Sequence, residues 1–134
     1  MTELSRMIRR FWIATFAAAF VTTSIQTVWA ETPYKVDGNK VDSATYKGYQ
    51  TYKRQRCETC HGQTAEGSAA FPNLLASLKN KSKEEFVQIV SQGKAAMPAH
   101  KDNKAVMDNI DGLYAYLKGR SDGAIPAGEL QEMK

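Results

Sequence analysis

The segment Arg56–Gln63 reads R-C-E-T-C-H-G-Q. It holds both cysteines of a 134-residue chain, three positions apart, with a histidine directly behind the second. Paired thiols at this spacing serve a redox dithiol, half of a zinc site, or covalent attachment of a haem. A dithiol of the thioredoxin kind sits beside a strand–helix unit, and no strand is readable ahead of residue 57. Zinc wants four ligands in a tetrahedron. Beyond the two thiols the chain offers His61 and His100, and the adjacent Cys60 and His61 are awkward to aim at one ion. A disulfide suits an exported protein, but so short a loop gains little and leaves the histidine unexplained.

Haem attachment uses all three residues. On one helical turn Cys57 and Cys60 share a face, so both thiols can add to the vinyl groups along one porphyrin edge. His61, four residues after Cys57, then brings its imidazole to the iron. C-x-x-C-H is the attachment pattern for a c-type haem, and the expected cofactor is one covalently bound haem c.

The other face of the iron needs a ligand, and the candidates after the motif are Met97, His100, Met107 and Met133. Met97 is the expected one, because Pro98 stiffens the loop that must project it. Met107 lies beside an apolar helical stripe and reads more readily as core. His100 would make a bis-histidine site, and His100 or Met107 stays open as the alternative to Met97. A thioether stabilises ferrous iron and raises the potential. Two strong axial ligands leave no position for substrate, so the expected role is electron transfer rather than catalysis. Pro72, in F-P-N, is a candidate acceptor for the second N–H of His61, since an axial histidine normally hands that proton to a fixed partner.

These residues must be carried by a small, all-α framework. A helix is expected from Asp42 or Ser43, either of which can cap it, through Gly48, Tyr49 and Tyr52 to the motif. A short helix fits residues 73–80. Ser82-Lys83-Glu84-Glu85 is a capping box ahead of Phe86, Val87, Ile89 and Val90, with Gly93 as terminator. Val106, Ile110, Leu113, Tyr114 and Leu117 recur at helical spacing, predicting one last helix over residues 103–118 that ends at Gly119. The tail S-D-G-A-I-P-A-G-E-L (121–130) reads as loop, and no strand is predicted.

The first thirty residues stand apart. Arg6, Arg9 and Arg10 precede the uncharged run Phe11–Val21, and Val28-Trp29-Ala30 offers a cleavage site, so residues 1–30 read as a secretory signal. A membrane anchor is the alternative, at roughly 20 apolar residues for a span, but Thr22, Thr23, Ser24, Gln26 and Thr27 dilute the second half. Residues 31–41 are expected as an extended arm and 42–134 as the domain. The signal takes three of the 18 basic and one of the 14 acidic residues, leaving 15 against 13, a net charge of +2. That is no nucleic-acid-binding field.

From residue 42 to 120 the order of parts resembles class I cytochrome c: a helix with Gly48 and Tyr52, then C-x-x-C-H-G, a proline loop, Met-Pro and an aromatic C-terminal helix. The resemblance implies a cytochrome c fold around one haem, with Gly48 and Tyr52 packed on the final helix near Leu113 to Leu117. Three stretches, S-L-K-N-K-S-K-E-E-F (77–86), G-K-A-A-M-P-A (93–99) and I-D-G-L-Y-A-Y-L-K-G-R-S-D-G-A-I-P (110–126), are also similar to the cytochrome cL and c550 type. That likeness implies a periplasmic carrier of single electrons. Its donor would be a quinoprotein (PQQ-dependent) alcohol or methanol dehydrogenase, and its acceptor a terminal oxidase or second cytochrome. A generic c5- or c6-like carrier, or a cytochrome subunit of a respiratory complex, is the alternative. Neither nucleic acid nor stable membrane insertion after cleavage is expected.

Overall fold

The computed structural model describes residues 31–134, and the signal expected over residues 1–30 lies outside them. The described residues form six helices: α1 (Ser43–Arg54), α2 (Glu58–His61), α3 (Leu74–Ser77), α4 (Lys83–Gln92), α5 (Lys104–Met107) and α6 (Ile110–Ser121). Three two-residue strands join them: β1 (Val36–Asp37), β2 (Lys40–Val41) and β3 (Gln131–Glu132).

The centre of the fold is the crossing of α1 and α6. A Cβ on Gly48 would stand 1.9 Å from the Gly112 carbonyl oxygen, and one on Gly112 would stand 2.1 Å from that of Ala44. Each glycine costs its helix about 1 kcal/mol relative to alanine. Both are tolerated because they let the two backbones touch. Around that contact Tyr49, Tyr52, Leu113, Tyr116 and Leu117 are buried. Phe86 of α4 closes the cluster against Tyr114, ring centroids 5.4 Å apart.

Asp42 starts α1 and also ties down the arm. Its carboxylate accepts from the Thr45 amide (3.1 Å), the Thr45 hydroxyl (2.7 Å) and the Lys35 amide (2.7 Å). Burial alone would raise this carboxyl, but those hydrogen bonds win and hold it below the usual range. The capping box of α4 forms as read, Ser82 and Glu85 each accepting from the other's amide.

Three features depart from the sequence reading. The last helix is interrupted after Met107, because Asn109 turns its side chain onto the Ala105 carbonyl (3.1 Å) and leaves helical geometry. Gly119 does not end α6. It lies inside the helix, where a Cβ would meet Ile125 at 2.4 Å; the left-handed residue that follows the helix is Gly123, φ 76°. The tail is not free loop either. It returns so that Ile125 and Leu130 are buried and β3 pairs in parallel with β2, which is itself antiparallel to β1. The arm therefore holds the tail, and both lie in one compact unit over residues 31–134.

Candidate haem site

The motif is aimed by the end of α1. Gln55 caps that helix, Arg56 takes a left-handed conformation (φ 60°), and the Cys57 amide donates back to the Tyr52 carbonyl at 3.1 Å. A left-handed arginine costs about 1–2 kcal/mol. The strain turns the chain sharply, so the motif begins a new turn rather than continuing α1. That turn is helical: the His61 amide donates to the Cys57 carbonyl at 2.9 Å. Both thiols are free, Cys57 half-buried and Cys60 exposed. Burial pushes the Cys57 thiol up, so it is held protonated.

The His61 ring is buried, and its Nδ1–H donates to the Pro72 carbonyl at 3.2 Å. The Pro72 carbonyl is thus the acceptor for this ring. With Nδ1 carrying the proton, Nε2 keeps its lone pair, the state a metal ligand requires. Gly67 makes this approach feasible and escaped the sequence reading. Its φ is 75°, a Cβ there would lie 2.6 Å from the Asn73 amide and 2.7 Å from the Pro72 carbonyl carbon, and its own amide holds the His61 carbonyl at 2.7 Å. The glycine was visible in the loop, but only the closed loop shows which backbone it must admit. Tyr52 fastens the same loop, its hydroxyl donating to the Gly62 carbonyl at 2.5 Å. Arg120 of α6 grips it from the other side, donating to Thr64 and Ile125 carbonyls.

Met97 sits half-buried against the core on a tightly held loop. Lys94 and Met97 exchange both backbone hydrogen bonds (3.1 and 2.9 Å), Ala95 is left-handed at φ 52°, and Gly93 at φ 76° leaves room for the Met97 carbonyl. The His100 and Lys101 amides then donate to Val90 and Ser91 of α4. Of the alternatives, Met107 ends α5 packed on the core, His100 is half-buried, and Met133 follows β3 with its amide on Val41.

Several cations near the motif and the Met97 loop are paired. Lys53 pairs with Glu58 (2.9 Å), Lys101 with Asp102 (2.9 Å) and Lys104 with Asp108 (3.4 Å). Among the described residues, Arg54, Arg56 and Lys94 make no such pair and are exposed.

An imidazole with one nitrogen committed to a carbonyl and the other free, directly behind two unbridged thiols, suits a covalently attached haem. These are the means of a c-type cytochrome. Residues 43–117 match the family described as cytochrome c oxidase, cbb3-type, subunit III, and the chain belongs to this family of class I c-type cytochromes. It is 63% identical over 92 residues to cytochrome c-555 of Methylococcus capsulatus, a match spanning 69% of this chain and 75% of that one. The crystal structure of the c-type cytochrome XoxG from Methylobacterium extorquens AM1 superimposes with a TM-score of 0.68 at 42% identity, covering 74% of this chain and 65% of that one. A more distant match, 30% identical over 94 residues, covers 67% of this chain but 12% of the dehydrogenase subunit of alcohol dehydrogenase (quinone) from Acetobacter aceti. The protein is thus a monohaem electron carrier with haem c as its cofactor, and not an enzyme. Among the described residues no helix is long and apolar enough to cross a membrane.

Proposed function

We propose that this cytochrome works in the periplasm, taking single electrons from a PQQ-dependent alcohol or methanol dehydrogenase and passing them to a terminal oxidase or a second cytochrome. In this reading Cys57 and Cys60 form the thioether links and His61 and Met97 are the axial ligands. The haem, when bound, supplies an iron that alternates between ferric and ferrous and so carries one electron. The observation that carries the ligand assignment is the His61–Pro72 hydrogen bond. It fixes the ring's orientation and tautomer before any metal arrives. Gly67, Tyr52 and Arg120 keep that carbonyl and the motif in register, and the Lys94–Met97 turn limits how far the thioether can wander. Rigid ligands suit a carrier, because little has to rearrange when the charge on the iron changes.

The partner rests on the likeness of residues 77–86, 93–99 and 110–126 to the cytochrome cL and c550 type. The match to a segment of a quinone-linked alcohol dehydrogenase supports it. The family description favours the second reading, a cytochrome subunit of a respiratory complex. Kinetics separate them. Electron-transfer encounters use small interfaces, often below about 1,200 Å², and charged rims act mainly on association rate and are screened by salt. Reduction by a quinoprotein alcohol dehydrogenase of the same organism should be fast at low salt and slow as salt rises. Lys94→Glu should slow it without altering the haem spectrum, since Lys94, beside Met97, makes no ion pair among the described residues. A dehydrogenase that reduces this protein no faster than an unrelated c-type carrier removes the partner.

Export is proposed with cleavage after Ala30. The intact mass of the purified, denatured protein should equal residues 31–134 plus one haem. Retention of Met1–Ala30 would instead favour an anchor.

A further inference from the structure

A groove of about 290 Å³ opens between α1 and α5. Its α1 wall is one stripe, Lys47, Gln50 and Arg54, at the i, i+3, i+7 spacing that shares a helix face, continued by the cap Gln55. Ala105 and Asn109 form the far wall. None of the residues assigned to the haem lines it.

Packing does not explain the charge of this groove. Lys47 and Arg54 are both exposed, and neither makes an ion pair among the described residues. A cation near the C-terminus of a helix complements its dipole, which accounts for Arg54 but not for Lys47 in mid-helix. No carboxylate is among the described residues that line the groove. Those close by in sequence are committed elsewhere, Asp108 to Lys104 (3.4 Å) and Glu58 to Lys53 (2.9 Å). The amides add donors. The Gln55 side-chain oxygen accepts from Asn103 at 3.0 Å, which leaves its NH2 group to donate. Asn109 commits its own NH2 to the Ala105 carbonyl at 3.1 Å and only walls the groove.

We propose that this groove binds a diphosphate group, with Lys47 and Arg54 gripping its two ends and the Gln50 and Gln55 amides donating alongside. Arg54 offers the planar fork that pairs two phosphate oxygens at once, and Lys47 a point charge. Seven residues of helix separate the two by about 10 Å along the axis, and their long side chains close that gap from both ends. An extended anion charged at both ends therefore uses both cations, whereas orthophosphate engages one. The inference goes beyond the electron-carrier role and depends on no assignment of its redox partners.

The test titrates pyrophosphate into the isotope-labelled ferrous holoprotein at constant ionic strength, with chloride as the balancing anion, and reads binding from the amide resonances. Shifts should saturate and centre on residues 47–55 and 105–109. Orthophosphate should bind about tenfold more weakly, having one charge-assisted contact fewer. Lys47→Gln and Arg54→Gln should each weaken pyrophosphate binding by about tenfold for the same reason. Lys79→Gln, exposed but outside the groove, should leave it unchanged. ADP that binds as tightly as pyrophosphate identifies the group as one carried on a nucleoside, and pyrophosphate alone identifies the free ion; either result supports the site. Spectra of the ligand-free variants that overlay the wild type away from the substitution show an intact fold, so a lost site is distinguishable from lost structure. Shifts that fail to saturate, spread over the exposed lysines alike, or survive both replacements overturn the proposal, and mean a cationic surface that attracts anions without selecting among them.

Discussion

Replacing Met97 by alanine should abolish the near-infrared sulfur-to-iron charge-transfer band of the ferric protein and lower its reduction potential. Both follow from one cause. A thioether donor stabilises ferrous iron, and its loss leaves water or a harder ligand to favour ferric iron. The loop should survive the change, because it is held by backbone: the Lys94–Met97 pair and the His100 and Lys101 amides on α4 remain. Met107→Ala is the contrasting variant. Met107 packs against the core from the end of α5, so its loss should cost stability, about 2 kcal/mol for a half-buried methionine at the low end of such truncations. The band should stay. If Met107→Ala removes the band and Met97→Ala leaves it, the axial assignment moves to Met107. If neither does, Met133 becomes the ligand to test, and a wild type that lacks the band altogether points to His100.

Gly48→Ala should unfold much of the protein at temperatures where the wild type is stable. Alanine is the better helix former by about 1 kcal/mol, so propensity alone predicts a gain. The geometry reverses the sign. The new methyl would lie 1.9 Å from the Gly112 oxygen, 2.1 Å from its carbon and 2.5 Å from the Leu113 nitrogen. All three are backbone atoms, which cannot swing aside as a side chain would. The helices must part, loosening Tyr49, Tyr52 and Tyr116 where they meet. Overpacking of a core typically costs about 1–3 kcal/mol and sometimes more. A backbone obstruction at the central crossing should reach roughly 3 kcal/mol or more, a large share of the about 5–15 kcal/mol of a native domain. Denaturant unfolding of the holoprotein measures it, with the exposed Lys47→Ala as the same-helix control. A Gly48→Ala protein as stable as wild type would mean that the crossing is looser than the contact between Gly48 and Gly112 requires.

The chemistry was legible in the sequence because its parts are close along the chain. Cys57, Cys60 and His61 fall within one turn, and a helical turn brings i, i+3 and i+4 together whatever surrounds them. The same locality made the Ser82–Glu85 capping box, Gly93 and the start of α1 readable, since caps are made by residues a few positions apart. Gly48 stood out because a lone glycine in a helix asks for a reason. Its partner Gly112 did not, because the reason is 64 positions away and appears only when α1 and α6 cross. Gly67 is similar: a glycine in a loop is ordinary until the Pro72 carbonyl has to pass it to reach His61. The tail gave no strand signal, because two-residue strands have no periodicity to read. β3 exists only because the arm at residues 36–41 offers it an edge. Hydrophobic spacing ran one helix through Asn109, and a single side chain bonding back to Ala105 broke it. The cofactor and its attachment are therefore written in local spacing. What holds the imidazole loop in place and lets α1 meet α6 depends on contacts between residues far apart in the chain, Arg120 on Thr64 and Gly48 on Gly112, and these form only when the helices pack.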